Sequence, residues 1–94
     1  MKKMTREQIE AKVYGVIIDV LDPMPEQVCL ATSLHDDLQT DSIDCVELLI
    51  HVEREFSLNI PDEDAEKVKT IGDVCNLVEK LVRKQEQKYN NFFK

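Results

Sequence analysis

Tryptophan is absent from this sequence of 94 residues, and glycine and proline are scarce, with two and three copies respectively. An all-β fold needs many turns, which glycine and proline commonly form, so this scarcity argues against such a fold. No apolar run approaches the roughly 20 residues that a bilayer-spanning helix requires. Within residues 1–12, no apolar h-region follows the first two lysines, so this segment does not resemble a secretory signal.

Cysteine is also rare and irregularly placed. The three copies, Cys29, Cys45 and Cys75, are odd in number and show no Cys-x-x-Cys spacing, which excludes both a disulfide framework and a zinc site of familiar type. We expect them to be small buried residues of a protein that works in a reducing compartment, the cytoplasm.

What the sequence does contain is helical periodicity, with 43% of its residues hydrophobic. We expect one domain over residues 1–94, with a core at about 5–82 and residues 83–94 as a helical extension or a flexible tail. The predicted fold is an all-α four-helix bundle with three longer helices, one short third helix and a long loop between helices 1 and 2. The predicted helices are Thr5–Leu21, Ser42–Phe56, Asp62–Val68 and a last helix that follows Thr70.

The long loop spans residues 22–40 and begins with Pro23 and Pro25. We expect its apolar side chains to pack against the core, since long loops without secondary structure are unusual in compact domains. Those side chains are Val28, Leu30, Leu34 and Leu38. A loop of this length also suggests that helices 1 and 2 run parallel, with the chain returning along the bundle between them.

The second predicted helix begins with a serine and has two apolar faces. Asp41 suits the N-cap, so Ser42 falls at the first helical position, where a phosphate ester would face free backbone amides and the positive end of the helix dipole. At about 100° per residue, one apolar arc faces the core and comprises Cys45, Leu48, Leu49, Val52 and Phe56. A second, roughly opposite arc comprises Ile43, Val46 and Ile50. We interpret this second arc as a surface that partners cover, although a neighbouring short helix that buries it is the alternative.

The net charge of −7 is unevenly distributed. Residues 36–66 hold eleven acids and one base, a local charge of −10, so the remainder of the chain carries +3. Such a field repels nucleic acid and anionic membranes and attracts proteins with basic docking patches. We therefore expect no nucleic-acid partner, no membrane insertion and a monomer. The candidate partner-docking residues are Ile43, Asp44, Val46, Glu47, Ile50, Glu53, Asp62 and Glu63.

No motif for catalysis or metal binding accompanies these features. The best calcium-loop alignment, over 36–47, places Leu38 and Asp41 where an oxygen ligand and glycine are required. His35 and His51 lack a third ligand, and neither is placed to activate Ser42 as a nucleophile. We predict neither a metal site nor a catalytic residue, and therefore no enzyme.

The chain resembles the acyl carrier proteins over about residues 5–82, and two motifs carry most of this resemblance. The Asp-Ser-Leu signature of that family is similar to Asp41-Ser42-Ile43, and its Ile-Pro-Asp motif is similar to Ile60-Pro61-Asp62. The resemblance implies that Ser42, flanked by Asp41, receives 4′-phosphopantetheine from coenzyme A through a phosphopantetheinyl transferase. The terminal thiol would then carry acyl groups as thioesters between acyl-transferring and chain-modifying enzymes that have basic docking patches.

The sequence also departs from the family pattern. Gln39 stands where glycine is common, Thr40 where a small residue is common, and Ile43, Ile50 and Arg54 replace a leucine, a frequent methionine and a usually acidic residue. The pathway consequently stays open between fatty-acid synthesis, polyketide synthesis and a specialised lipid pathway. Two alternatives are an aminoacyl or peptidyl carrier and a non-carrier acidic helical interaction domain that leaves Ser42 unmodified.

Overall fold

The computed structural model describes residues 4–92, with side chains for residues 4–85, and it is helical. Its helices are α1 (Arg6–Leu21), α2 (Ser42–Phe56), α3 (Asp62–Ala65) and α4 (Ile71–Phe92). A single 3₁₀ turn lies at Pro25–Gln27 in the long loop. Within the described residues the only β-type pairing is one isolated bridge between Ser33 and Thr70. The predicted four-helix fold is confirmed, with its three longer helices, short third helix and long first loop.

Two of the helix starts show reciprocal capping close to the predicted positions. Thr5 Oγ1 accepts a hydrogen bond from the amide of Gln8 at 3.1 Å, and the Gln8 side chain accepts one from the amide of Thr5 at 2.9 Å. At the start of α4, Thr70 Oγ1 accepts from the amide of Asp73 at 3.0 Å, and Asp73 Oδ2 accepts from the amide of Thr70 at 3.1 Å. These contacts satisfy amides that the first turn of a helix leaves without intrahelical partners.

The predicted parallel arrangement of helices 1 and 2 is wrong, because α1 runs antiparallel to α2. Lys12, in the first half of α1, forms a 3.6 Å ion pair with Glu55 near the end of α2. At the other end of α1, Leu21 lines the same cavity as Leu38 and Gln39, which precede α2. The loop therefore does not return along the bundle but folds over one of its ends.

Hydrogen bonds attach the long loop to the start of α4. The amide of Leu34 donates to the carbonyl of Lys69 at 2.9 Å, and the amide of Gly72 donates to the carbonyl of Leu30 at 2.8 Å. The side chain of Leu34 is buried, and those of Val28 and Leu38 are partly buried against the core, as expected. Leu30 is 38% exposed, so its predicted packing against the core is wrong. Its carbonyl, rather than its side chain, anchors this part of the loop.

The core lies between α1, α2 and α4, with contributions from the loops. Its buried hydrophobic side chains are Ile9, Val13, Val16, Ile17, Leu34, Leu48, Leu49, Val52, Phe56, Ile60, Ile71, Val74, Cys75, Leu77, Val78 and Val82. The cysteines divide into three environments, since Cys75 is buried, Cys45 is intermediate and Cys29 is exposed. The expectation that all three are buried holds for Cys75 alone.

The third helix is shorter than predicted. α3 ends at Ala65 instead of Val68. Beyond it, the amides of Lys67 and Val68 donate to the carbonyls of Asp64 and Ala65, three residues back, at 3.1 and 3.2 Å. Bonds of this spacing wind the chain more tightly than an α-helix and end the element early.

The last helix continues past the core. α4 comprises 22 residues and remains helical through Phe92. The side chains of Tyr89, Phe92 and Phe93 lie outside the described part of the structure. No helix within that part has the length and apolarity to cross a membrane.

Candidate functional site

Ser42 is exposed at the first position of the 15-residue helix α2. Asp41 is the N-cap: its Oδ1 accepts from the amide of Asp44 at 2.8 Å, while Asp44 Oδ2 accepts from the amide of Asp41 at 3.2 Å. The cap therefore holds the hydroxyl of Ser42 at the positive end of the helix dipole. A covalently attached phosphate at this position would be stabilised by that end of the helix.

The segment that leads into α2 is fixed to the loop by hydrogen bonds. The amide and the hydroxyl of Thr40 both donate to the carbonyl of Leu34, at 3.0 and 2.8 Å. The imidazole Nδ1 of His35 lies 2.9 Å from the carbonyl oxygen of Thr40. Sequence reasoning missed this role of His35 and Thr40, because nothing in their spacing shows that residues 34–35 and 40 meet.

A groove next to Ser42 is lined by α2 and the α3 region. Its larger part is a cavity of about 520 Å³ whose lining includes Ser42, Cys45 and Val68. A smaller cavity of about 90 Å³, bordered by Ile50 and Ile60, shares several of the same walls. The shared lining residues are Val46, Leu49, Asp62 and Ala65. The structure thus brings the α3 region to Ser42, and the predicted core residue Cys45 lines the groove instead of being fully enclosed.

The second apolar arc of α2 is exposed. Ile43, Val46 and Ile50 have 73%, 58% and 41% of their surfaces accessible. No neighbouring short helix buries them, which excludes the alternative for this arc within the described residues. Val46 and Ile50 also border the groove, so the exposed arc and the groove are continuous.

The predicted acidic docking residues fall into two groups. Glu47, Asp62 and Glu63 are exposed, and Asp62 also lines the groove. Asp44 and Glu53 are partly buried and hold local structure. Asp44 belongs to the cap of α2, and Glu53 Oε2 accepts from the amide of Ile60 at 2.7 Å.

The three thiols differ in their chemistry as well as in their exposure. Hydrogen bonds from the Thr32 side chain and from the backbone of Ala31 lower the pKa of Cys29, which is exposed in the loop. Burial raises the pKa of Cys75 to about 11. Cys45 Sγ lies 3.3 Å from Thr40 Oγ1. In the part of the chain that the structure describes, no group of three His, Cys, Asp or Glu side chains is arranged to hold a metal ion.

Comparison with known proteins gives consistent similarities. Residues 11–78 match the family described as phosphopantetheine attachment site. The acyl carrier protein of Bdellovibrio bacteriovorus is 49% identical over 72 residues, which are 77% of this chain and 92% of that protein. The acyl carrier protein of Amoebophilus asiaticus is 44% identical over 73 residues, 78% of this chain and 91% of that protein. A solved structure of the acyl carrier protein from Enterococcus faecalis is similar, with a TM-score of 0.69 and 37% sequence identity, and the match covers 83% of this chain and 99% of that one.

Proposed function

Since the chain belongs to the acyl carrier proteins, which are not enzymes and bear a covalently attached 4′-phosphopantetheine, we propose that Ser42 is its attachment residue, with Asp41 as the flanking residue. The observation that carries this proposal is the position of Ser42, whose exposed hydroxyl stands at the first turn of a long helix and lines a cavity of about 520 Å³. Neither Ser33 nor Ser57 begins a helix.

The residues around Ser42 fit the proposed group. The first turn of α2 would offer its remaining backbone amides and the positive end of the helix dipole to a phosphate on this hydroxyl, and the Asp41 cap fixes that turn. Leu49, Ala65 and Val68 give the adjoining groove apolar walls, which favour an apolar acyl chain over exposure to water. When attached, 4′-phosphopantetheine supplies a thiol that carries acyl groups as thioesters. In this chain, Ser42 provides the tethering oxygen, and the groove provides a surface along which cargo can lie.

We assign partner docking to the exposed arc and to the acids around it. Ile43, Val46 and Ile50 supply a small apolar contact, and Glu47, Asp62 and Glu63 supply the long-range attraction. Asp44 and Glu53 contribute charge to this surface while also holding local structure. A small patch with a charged rim releases its partners readily, as a carrier serving successive enzymes requires.

The cellular setting proposed for the carrier follows from its chemistry. The partners are a phosphopantetheinyl transferase and enzymes that transfer or modify acyl chains, in fatty-acid, polyketide or specialised lipid synthesis. The three unpaired thiols fit the cytoplasm, because reducing compartments preserve them. We further propose that residues 1–94 act as one monomeric carrier domain, with its core at about 5–82 and residues 83–94 as an extension.

Intact-mass measurement after incubation with coenzyme A and a phosphopantetheinyl transferase tests the attachment residue. We expect a gain of one phosphopantetheine in the wild type, no gain in Ser42→Ala, and an undiminished gain in Ser57→Ala. Ser57 is a matched control, because it is an exposed serine at the opposite end of the same helix. A gain that persists in Ser42→Ala would contradict the assignment. Lack of modification by several transferases would instead favour the non-carrier interaction domain.

The mass of the protein isolated from its own cells tests the pathway. An acyl cargo on the thiol supports the lipid or polyketide assignment, and the length and oxidation of the chain distinguish among those pathways. An amino acid or a peptide as cargo would overturn that assignment in favour of an aminoacyl carrier.

A further inference from the structure

Cys45 and Ser42 line the same groove, one helical turn apart. Residues separated by three positions on a helix have Cβ atoms about 5–6 Å apart, so the sulfur lies close to the hydroxyl. The thiol of Cys45 is partly buried and contacts Thr40 Oγ1 at 3.3 Å, while its position in the wall of the 520 Å³ cavity keeps it accessible from the groove. No part of the carrier function described above uses this thiol.

We propose that Cys45 forms an intramolecular disulfide with the thiol of the 4′-phosphopantetheine on Ser42, and that this bond reversibly switches the carrier off under oxidising conditions. The inference rests on the proposed function, because the second thiol belongs to the attached cofactor. It concerns the regulation of the same site.

The chemistry requires a small disulfide as oxidant, such as glutathione disulfide. The cofactor thiolate attacks one sulfur of the oxidant and forms a mixed disulfide, releasing one glutathione thiolate, which takes up a proton. The thiolate of Cys45 then attacks the cofactor sulfur and releases the second glutathione. Overall, two thiols of the carrier lose two protons and two electrons, and glutathione disulfide is reduced to two glutathione molecules.

The second step is favoured because it is intramolecular. A flexible tether anchored one turn from Cys45 holds its thiol at an effective concentration of the order of millimolar or more, so ring closure competes with capture by free glutathione. The disulfide closes a ring that contains Ser42, the cofactor and Cys45, and it leaves no free cofactor thiol to accept an acyl group. Reduction by an excess of thiol reopens it and restores the loading-competent form.

The other two cysteines are placed differently. Cys75 is completely buried in the core. Cys29 is exposed, but it lies in the long loop, where it contacts Thr32, and it does not line the cavity that contains Ser42. Cys29 is therefore the matched control, as an exposed thiol outside the groove.

The test uses the carrier loaded by a transferase and coenzyme A, reduced, and then exposed to glutathione disulfide at roughly millimolar concentration. The sample is denatured, alkylated and weighed intact. With three cysteines and one cofactor thiol, the reduced protein takes four alkyl groups. After oxidation we expect the ring to lower the mass before alkylation by about 2 Da, since two hydrogens are lost. Exposed Cys29 can also take up one glutathione, so the alkyl groups are counted in Cys29→Ser. In that variant the reduced carrier takes three alkyl groups, and the oxidised carrier should take one and carry no glutathione.

Three comparisons make the result specific. In Cys45→Ser the ring should be lost and the cofactor thiol should carry glutathione, whereas Cys29→Ser should still close. The unloaded protein should form no internal disulfide. Circular dichroism of Cys45→Ser and Cys45→Ala checks that the fold is retained. A loaded wild type that only acquires glutathione, or a ring that persists without Cys45, would overturn this inference alone. Failure of the loading step itself would overturn the proposed attachment at Ser42, and this inference with it.

Discussion

Gln39 adopts a backbone conformation that is unfavourable for most residues, three positions before Ser42. Its φ is 54°, in the left-handed region where a Cβ atom crowds the following carbonyl. The family pattern commonly places glycine here, and the structure supplies the physical reason, since glycine reaches this region without a steric penalty. The strain at Gln39 is tolerated because the hydrogen bonds of Thr40 to the loop fix the neighbouring backbone.

Gln39→Gly should therefore stabilise the protein. Relief of the left-handed conformation contributes about 1–2 kcal/mol, and the added freedom of glycine in the unfolded chain removes about 0.5–1 kcal/mol, which leaves a net gain of about 0.5–1 kcal/mol. Urea denaturation measures the change. Asn59→Gly is the control, an exposed loop position outside the left-handed region, and it should be neutral or destabilising. Equal effects of the two substitutions would contradict the strain at Gln39.

The buried thiol of Cys75 makes the stability of the fold depend on pH in the alkaline range. Burial raises the pKa of its thiol from 9.0 to about 11, so the unfolded chain releases this proton at a lower pH than the folded chain does. Where the folded state binds more protons than the unfolded state, stability falls as the pH rises. The contribution of Cys75 is thus complete below about pH 9 and is lost progressively between about pH 9 and 11.

Cys75→Ala should flatten the alkaline decline in stability. For the wild type we expect the thiol to account for about 1 kcal/mol of the unfolding free energy lost between about pH 8.5 and 10. The variant lacks that component, although the cavity left by the substitution lowers its stability at every pH. Urea titrations at several pH values measure the slope. An identical slope in both proteins would show that Cys75 does not ionise on unfolding in this range.

Among the elements, the start of α4 depends on a close approach by the long loop. The carbonyl of Leu30 accepts the amide of Gly72 at 2.8 Å, and the carbonyl of Thr32 accepts that of Ile71 at 3.0 Å. These bonds satisfy first-turn amides that a helix cannot satisfy itself. A Cβ atom at Gly72 would lie 2.9 Å from the Leu30 carbonyl oxygen, which is backbone and cannot rotate away.

Substitution of each of the two glycines by alanine should therefore change the stability of the protein in opposite directions. Gly72→Ala should destabilise the protein by about 1–3 kcal/mol, because the loop must shift from its hydrogen bonds. Gly15→Ala should stabilise it by about 0.5–1 kcal/mol, because that glycine lies in the interior of α1 with nothing within 4 Å of the added carbon. Thermal and urea denaturation compare the two variants. A stabilising Gly72→Ala would show that the Leu30 carbonyl does not approach Gly72 closely enough to exclude a Cβ atom.

At the scale of the whole molecule, charge is separated by region. Residues 36–66, which include α2 and α3, carry a charge of −10, whereas the rest of the chain carries +3. Part of that remainder is paired internally: Arg6 bridges Glu10 and Glu79 at 2.7 and 2.9 Å, and Arg83 also reaches Glu79. The long-range field of the molecule is therefore set by the acids around α2 and α3.

A charge reversal in this region should weaken partner encounter more than an equal reversal elsewhere. Glu47→Lys should lower the kcat/KM of the phosphopantetheinyl transferase roughly three- to tenfold, because rim charges act mainly on association. Asp19→Lys, on the exposed face of α1, produces the same net charge of −5 and should change it far less. The difference should shrink at high salt. Equal losses in the two variants would show that net charge, not the acidic surface around the groove, attracts the partner.

The local features were predictable from the sequence because short-range contacts determine them. The caps at Thr5, Asp41 and Thr70 join groups only three residues apart, and the exposure of Ile43, Val46 and Ile50 follows from helical periodicity. The helix count and the place of Ser42 at the start of α2 follow in the same way. Those features were sufficient to predict the fold class and the resemblance to acyl carrier proteins.

The tertiary structure decided the features that depend on residues distant in the sequence. The antiparallel course of α1 and α2 and the early end of α3 required the packed chain, because apolar periodicity identifies a buried face but not its neighbour. Leu30 has an exposed side chain and a carbonyl that bonds to the amide of Gly72, a contact between residues far apart in the sequence. The groove that Cys45 and Ser42 share exists because the α3 region packs beside α2, and no pattern within α2 alone contains that information.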